Sequence, residues 1–201
     1  MKLSLAAALI LALPAQAQIR TDASLGLPAQ SLAGPHYLIA QSLGKLSGPN
    51  LFQSFQTFKL ASGETATFRT STAGIANVIS RVTGGEASLI NGQISLLPFE
   101  GNPGFFFINP AGVLLGEGAA IDVPGAFHVS TANYLQFADG GRLHAELGQA
   151  SSFSSAAPEA FGFLGTSRVP LSLRDGAVIA PNALQASSLV GGDVSVDSAL
   201  L

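Results

Sequence analysis

The sequence of 201 residues contains no cysteine and no tryptophan, and only 10% of its residues are charged. The missing cysteine excludes disulfides and cysteine-ligated metal sites. So few charged residues disfavour amphipathic helices, whose solvent-facing side needs Lys, Glu and Arg. Only nine basic residues are present, scattered along the chain, which excludes the clustered positive surface of a nucleic-acid-binding protein. No nucleic-acid partner is therefore expected.

Turn-forming and apolar residues are plentiful instead. The chain has 23 glycines, 11 prolines and 13 phenylalanines, and 47% of its residues are hydrophobic. Short apolar bursts alternate with corners such as TGG, NG, GNPG, NPAG and RDG. Many bursts are β-branched or aromatic, and some alternate with period two, as in Gln93-Ile94-Ser95-Leu96. No sustained helical period follows residue 20, so the sequence predicts an all-β chain.

The spacing of these short strands favours a right-handed parallel β-helix, a solenoid wound from a single chain. Asn91-Gly92-Gln93-Ile94 and Ala111-Gly112-Val113-Leu114 lie 20 residues apart, which predicts about eight to nine coils of about 20 residues between residues 30 and 196. The start of the mature chain is expected to cap one end, because an open coil presents unpaired strand edges. Leu200 and Leu201 are expected to pack poorly at the other end. The repeat is irregular, so a β-sandwich is the alternative at this point.

Residues 1–17 have the layout of a secretory signal peptide. Lys2 gives a positive start, Leu3–Leu13 is an apolar run, and Ala15 and Ala17 form an Ala-x-Ala cleavage site. Cleavage after Ala17 would make Gln18 the first mature residue. An N-terminal membrane anchor is the alternative, but the apolar run is too short to span a bilayer.

The stretch FFFINPAGVLLG, residues 105–116, interrupts an apolar run with a corner. Pro110 fixes its own φ, Gly112 accepts conformations closed to other residues, and Asn109 is suited to hydrogen-bond the neighbouring backbone. In a β-helix such a corner ends one strand and begins the next on another face. The apolar runs on both sides are then expected to point inward.

The segment FFFINPAGVLLGEGAAIDVPGAFHVSTANYLQFADG resembles the filamentous-haemagglutinin-type secretion domain of two-partner secretion exoproteins. The resemblance continues upstream through GPNLFQSFQTFKLASGETATF and NVISRVTGGEASLINGQISL, and downstream through PEAFGFLG and SLVGGDVSV. It covers most of residues 30–196. It implies that residues 18–201 form one secretion domain, a capped right-handed parallel β-helix.

The resemblance also implies a partner and a destination. Members of this family are recognised by an outer-membrane β-barrel transporter with periplasmic POTRA domains, cross it unfolded and fold outside. The chain is thus expected to reach the cell surface or the medium through the periplasm. Family exoproteins usually carry an adhesive or toxic passenger that acts on a host surface. Because this sequence stops at Leu201, it is expected to be a truncated, fragmentary or minimal member.

Asn109, Pro110 and Gly112 match the family's Asn-Pro-Asn-Gly corner and form the candidate secretion motif. Position 111 is Ala here, so a role for the second Asn does not transfer. Some members carry an earlier Asn-Pro-Asn-Leu motif, of which Gly48-Pro49-Asn50-Leu51 is a partial echo.

Catalytic and metal-binding patterns are weak. His144-Ala145-Glu146 is compatible with an acid–base or metal site, but His36 and His128 lie in unrelated contexts, and an ordinary strand or turn is the better interpretation. The acidic residues are scattered, unlike the clustered carboxylates of β-helix polysaccharide hydrolases. The sequence predicts no enzyme, no cofactor and no metal, and the main hypothesis is a secretion and targeting module. A carbohydrate-active or carbohydrate-binding β-helix is the alternative.

Overall fold

The computed structural model describes residues 18–166, 168–179 and 185–200. It is all-β, with 47% of residues in strands and 2% in helix, which confirms the predicted fold class. The predicted signal peptide, with Ala15 and Ala17, lies outside the described residues, as does Leu201. Gln18 is the first residue described.

Within the described residues the chain forms nineteen short strands, numbered in chain order, and a single turn of 3-10 helix at Gln41–Leu43. The strands are β1 (Ile19–Thr21), β2 (His36–Ala40), β3 (Lys45–Ser47), β4 (Asn50–Phe58), β5 (Thr65–Arg69), β6 (Asn77–Val82), β7 (Ser88–Ile90), β8 (Gln93–Leu97), β9 (Gly104–Ile108), β10 (Val113–Leu115), β11 (Ala120–Asp122), β12 (Phe127–Ser130), β13 (Tyr134–Phe137), β14 (Arg142–His144), β15 (Pro158–Gly162), β16 (Pro170–Leu173), β17 (Val178–Ile179), β18 (Ser187–Val190) and β19 (Asp193–Val196).

Most strands stack into three sheets, which form the walls of a solenoid of about six turns. Sheet 1 has the order β1–β4–β6–β9–β12–β18, with β3 also on β4; sheet 2 has the order β17–β11–β8–β5–β2; sheet 3 has the order β19–β16–β10–β7. The chain visits sheet 2, then sheet 1, then sheet 3, and each coil pairs in parallel with the one before it. The predicted single-chain parallel β-helix is confirmed, and the sandwich alternative is wrong.

The coil is longer than the sequence spacing predicted. Thr65 of β5 pairs in register with Gln93 of β8, so one coil there is longer than the predicted length. Paired residues of β9 and β12 are also further apart in the sequence than that length. Gly92 precedes β8 in sheet 2, whereas Gly112 precedes β10 in sheet 3, so the two fragments do not stack on each other. The prediction of about eight to nine coils of about 20 residues is therefore wrong. Each turn contains up to three strands and the corners between them. Together these need more residues than the number that separates the two fragments.

The first end of the solenoid is capped by the start of the described chain. β1 pairs antiparallel with β4 and covers the first edge of sheet 1, and β3 forms another antiparallel pair on β4. Ile19 of β1 is fully buried as a result. The prediction that the beginning of the mature chain helps to cap one end is confirmed.

The opposite end is open as far as the described residues extend. Val194 and Val196 continue the inward rows of Leu171 and Leu173, yet they are 43% and 47% exposed because no further described strand covers them. Leu200 is 65% exposed, which confirms the prediction of poor packing for that residue.

The interior of the solenoid is an apolar core that is rich in phenylalanine. Its buried phenylalanine rings are Phe55, Phe58, Phe68, Phe105, Phe107 and Phe127. Several neighbours meet edge to face, with ring centroids 4.7 Å apart for Phe68 and Phe105, a geometry that adds stability to that of burial alone. A core packed in this way holds the domain together without disulfides.

An excursion from the solenoid was not predicted from the sequence. Residues 131–166 and 168–169, together called the excursion below, leave the solenoid after β12 and return to it at β16. Within the excursion, β14, β13 and β15 form an antiparallel outer sheet in that order. This sheet packs on the outward face of sheet 1 through a second core, formed by Phe52, Ile79, Phe106, Ile108, Leu135, Phe137, Leu143 and Ala145.

Sheet 1 is consequently apolar on both faces. Along β9, Phe105 and Phe107 enter the inner core, whereas Phe106 and Ile108 enter the second core. The expectation that the whole run before the corner points inward is therefore wrong for Phe106 and Ile108. A strand that is covered on both faces does not need polar residues at alternate positions, which explains the unbroken sequence FFFI.

Candidate functional site

The candidate secretion motif is the corner at which the chain turns from β9 of sheet 1 to β10 of sheet 3. Pro110 and Ala111 occupy the turn, and the amide of Gly112 donates to the carbonyl oxygen of Asn109 over 3.1 Å. The amide of Asn109 donates to the carbonyl oxygen of Ser130 in the next coil over 3.0 Å. The corner is thus tied to the coil that follows it.

The Asn109 side chain is fully buried, and its oxygen and nitrogen both have partners. Nδ2 donates to the Glu86 carbonyl oxygen and to Ser88 Oγ, both over 2.9 Å, and Oδ1 accepts from the Ala111 amide over 2.9 Å. The first two bonds fix the corner to the preceding coil, and the third closes the turn itself. The folded domain exposes no part of this side chain to another protein.

Gly112 is required by backbone conformation more than by space. Its φ is +121°, in the region that favours glycine. A Cβ at this position would lie 3.4 Å from Ala87 Cβ and 3.5 Å from the Pro170 carbonyl oxygen, which is close to ordinary contact. The strain of a side chain here is therefore conformational, and it is greatest for a β-branched residue.

Ala111, where the family corner commonly has its second Asn, is half-buried at a shallow groove on the outer side of sheet 3. The groove has a volume of about 280 Å³ and is also lined by Leu89, Leu114 and Arg174. A larger polar side chain at position 111 therefore has room on the solvent side.

Asn50, from the segment that partly matches the second family motif, lies at the start of β4. Asn50 is fully buried, and its Nδ2 donates to the carbonyl oxygens of Ser154 (2.9 Å) and Ala156 (2.7 Å). Its Oδ1 accepts from Asn77 Nδ2 over 2.9 Å. Since both carbonyls belong to the excursion, Asn50 attaches the excursion to sheet 1, a role that the sequence did not reveal.

A buried arginine forms a second attachment. Arg81, on the outward face of β6, is only 3% exposed. Its Nε donates to Ser54 Oγ (2.8 Å), its Nη2 to Ser24 Oγ (2.8 Å), and its Nη1 to Ser151 Oγ (3.0 Å) and the His144 carbonyl oxygen. These acceptors come from the start of the described chain, from sheet 1 and from the excursion.

Asp22 supplies the negative charge that balances Arg81. Its carboxylate accepts from the Ser24 amide (2.8 Å) and hydroxyl (2.5 Å), from Ser54 Oγ (2.6 Å) and from Thr83 Oγ1 (2.7 Å). Burial alone raises the pKa of Asp22, but these hydrogen bonds together outweigh burial and hold the pKa below its ordinary value. Burial lowers the pKa of Arg81, and the charge of Asp22 opposes that shift. Ser24 and Ser54 bridge the two charges.

One signal in the sequence could have located this Arg81 network. Arg81 stands inside the apolar burst IANVISRV, and a charge within a buried strand requires partners. The identity of those partners was hidden, because Asp22 and Ser24 lie far earlier in the chain and no spacing rule reaches that far.

Acid is expected to weaken this network through Asp22. Because the folded-state pKa of Asp22 lies below its ordinary value of 3.8, the ionised carboxylate stabilises the fold at neutral pH and loses that effect as the pH falls through the acidic range. The free energy of unfolding should therefore decline below about pH 5, and Asp22→Asn should flatten the decline. Urea unfolding at several pH values measures both. Asp122→Asn, at an exposed carboxyl on β11, should keep the wild-type slope, as would Asp22→Asn if Asp22 played no part.

The histidines named from the sequence are not brought together. His144 lies in the outer sheet, with its ring 5.4 Å from that of Tyr134, while His36 and His128 lie on β2 and β12. Glu146 is exposed. In the part of the chain that the structure describes, no group of three or more His, Cys, Asp or Glu side chains is placed to hold a metal ion.

Among the residues that the structure describes, no helix has the length and apolar character that crossing a bilayer requires.

A family model described as TPS secretion domain matches residues 17–199. The matched residues include the solenoid, the excursion and the Asn109 corner. The chain belongs to the TPS secretion domain family. The resemblance found in the sequence is thereby confirmed. No curated protein matches the chain.

Membership places this TPS domain in a two-partner secretion exoprotein. The TPS family is one of secretion and targeting modules and not of enzymes. The TPS domain also implies that the exoprotein is secreted in a Gram-negative two-partner system and has a transporter as its partner.

Proposed function

We propose that this TPS domain is the module by which an outer-membrane β-barrel transporter with POTRA domains selects the exoprotein. Residues 1–17 direct the chain to the periplasm, and the transporter passes it to the cell surface or the medium. The observation that carries the proposal is that the family match, residues 17–199, coincides with one β-solenoid. In this proposal the transporter selects the domain, the domain crosses the outer membrane unfolded, and it then folds outside.

The burial of Asn109 indicates when the transporter reads the corner. In the folded domain this side chain is fully buried and bonded to Glu86 and Ser88. A transporter that contacts Asn109 directly must therefore do so on the unfolded chain, before β9 and β10 stack on the preceding coil. Folding then buries the motif, so the folded domain does not rebind the transporter through it. This favours release of the domain from the transporter.

Three substitutions at the corner test this proposal. Asn109→Ala removes three hydrogen bonds and leaves buried groups without partners, which costs about 1–3 kcal/mol of stability. Gly112→Val forces a β-branched residue to a φ of +121° and should cost at least about 1–3 kcal/mol. Ala111→Asn restores the commoner family residue and should have little effect. Secretion from cells that carry the partner transporter is compared with the thermal stability of each purified variant.

A variant that is destabilised far from the corner separates recognition from folding. Ile94→Val in β8 removes one methyl group from the inner core and costs about 0.5–1.5 kcal/mol. Ile94→Val shows how far secretion falls for a given loss of stability. If the transporter reads the corner, secretion of Asn109→Ala falls further than its own loss of stability accounts for. If secretion follows stability alone in all four variants, the corner is a folding element and direct recognition is wrong.

The adhesin role belongs, in this proposal, to a passenger and not to the TPS domain. Binding to a host surface is then absent from the purified domain and present in a longer exoprotein. A neighbouring gene that encodes a β-barrel transporter with POTRA domains is the simplest support for the pairing. No enzymatic role is proposed for the domain.

A further inference from the structure

Three segments that are distant in sequence meet at the Arg81 guanidinium. The first is residues 18–32, called the cap below, which contains β1 and contributes Ser24. The second is sheet 1, which contributes Ser54. The third is the excursion, which contributes Ser151 and one backbone carbonyl.

Arg81 is the polar link between the cap and the excursion. Over the described ranges, no hydrogen bond joins these two segments directly, and their apolar contact is Leu25 of the cap against the second core. On the cap side, Ser24 is itself fixed by Asp22, which accepts both its amide and its hydroxyl hydrogen. The Arg81 network therefore has one arm in each segment.

A network of this kind is unfavourable when only half of it is formed. If the excursion opens, Nη1 of Arg81 loses both of its acceptors while the cap still encloses the guanidinium. If the cap opens, Nη2 loses Ser24 and the Asp22 charge moves away. A buried charge without partners is costly, and a partly satisfied network is less stable than a complete one. Each segment consequently docks more tightly when the other is in place.

We propose that Arg81 is a latch that couples closure of the cap to closure of the excursion, so that the two segments open and close together. Residues 22–24 precede Ser151 by well over a hundred positions. In a chain that folds from its N-terminus, the latch therefore stays incomplete until the excursion arrives. The cap gains its full stability only at that stage.

Hydrogen exchange on the purified full chain tests the coupling. Ser151→Ala removes one acceptor of Arg81, together with the bonds between Ser151 Oγ and the backbone of His144, and changes nothing within the cap. The cap is monitored at the amides of Asp22 and Leu32, which donate to Ser54 and Ile19. We expect Ser151→Ala to raise exchange about tenfold at these amides as well as in β13–β15, since a bond to a charged group is lost. Ser24→Ala, made in the cap, should likewise raise exchange in β13–β15.

Asn50→Ala loosens the excursion without touching the latch. It removes two hydrogen bonds to the excursion but has no bond to Arg81 or to the cap. Because the two segments open together, Asn50→Ala should raise exchange in β13–β15 and at the Asp22 and Leu32 amides while Arg81 is present, but in β13–β15 alone when it is added to Arg81→Met. If Asn50→Ala raises exchange in the cap equally in both backgrounds, the coupling runs through Leu25 and the second core, and the latch is wrong. It is also wrong if Ser151→Ala acts on the excursion alone.

Discussion

Arg81→Met is expected to lower the free energy of unfolding by about 3–5 kcal/mol. Methionine fills a similar length of space, so the loss reports charge and hydrogen bonds more than volume. Without Arg81, the carboxylate of Asp22 stays buried with no positive charge to balance it, and Ser54 and Ser151 lose a donor. Urea unfolding followed by circular dichroism measures the effect.

Two further variants show whether the unpaired charge causes this loss. Asp22→Asn combined with Arg81→Met removes both charges and should recover a substantial part of the stability, whereas additive losses would mean that the two residues act independently. Lys59→Met breaks the ion pair of Lys59 with Glu86, whose side chains are 34% and 60% exposed. That exposed pair should contribute little to stability, because water and salt screen it.

Phe107→Ala is expected to destabilise the whole solenoid by about 3–5 kcal/mol. The ring is 1% exposed in the inner core and lies 5.0 Å from the ring of Phe58, centroid to centroid. Its loss leaves a cavity between stacked coils that the neighbouring backbone is too rigid to close. A lower midpoint in urea, with a single cooperative transition, is the expected observation.

Phe106→Ala, one position earlier, should act on the excursion first. Phe106 belongs to the second core, where its ring stacks on that of His128 at 4.3 Å and approaches Phe161 at 6.4 Å. Limited proteolysis should then cut within residues 145–152 at a protease concentration that leaves the solenoid intact. If both variants unfold the protein in the same single step, the two cores form one cooperative unit and the distinction between them fails.

The winding of the chain could be predicted from the sequence because each corner depends on the residues within the turn itself. Asn109, Pro110 and Gly112 each have a preference that acts within the turn, and the turn forms where they predict it. The length of a coil could not be predicted in the same way. It depends on which strands stack, and Gly92 and Gly112, whose spacing suggested a shorter repeat, precede strands in different sheets.

The partners of the candidate site were hidden for a related reason. Asn109 was predicted to bond its own turn, and it does so through the Ala111 amide. Its bonds to Glu86 and Ser88 reach 23 and 21 residues back along the chain, a distance set only by stacking. Likewise, composition alone does not show that the excursion covers Phe106, because NYLQF reads like any other apolar burst.

Because the excursion covers sheet 1, the domain has two walls that face its surroundings and one that does not. Leu38 and Leu97 on sheet 2 and Leu89 on sheet 3 are each about half exposed, whereas outward residues of sheet 1 such as Ile79 are fully buried. Substitutions of outward residues are therefore expected to be tolerated on two walls and to be costly on the third. A change of size at Ile79 is expected to need a compensating change across the second core, for example at Leu135, so substitutions in sheet 1 and in the excursion should be coupled.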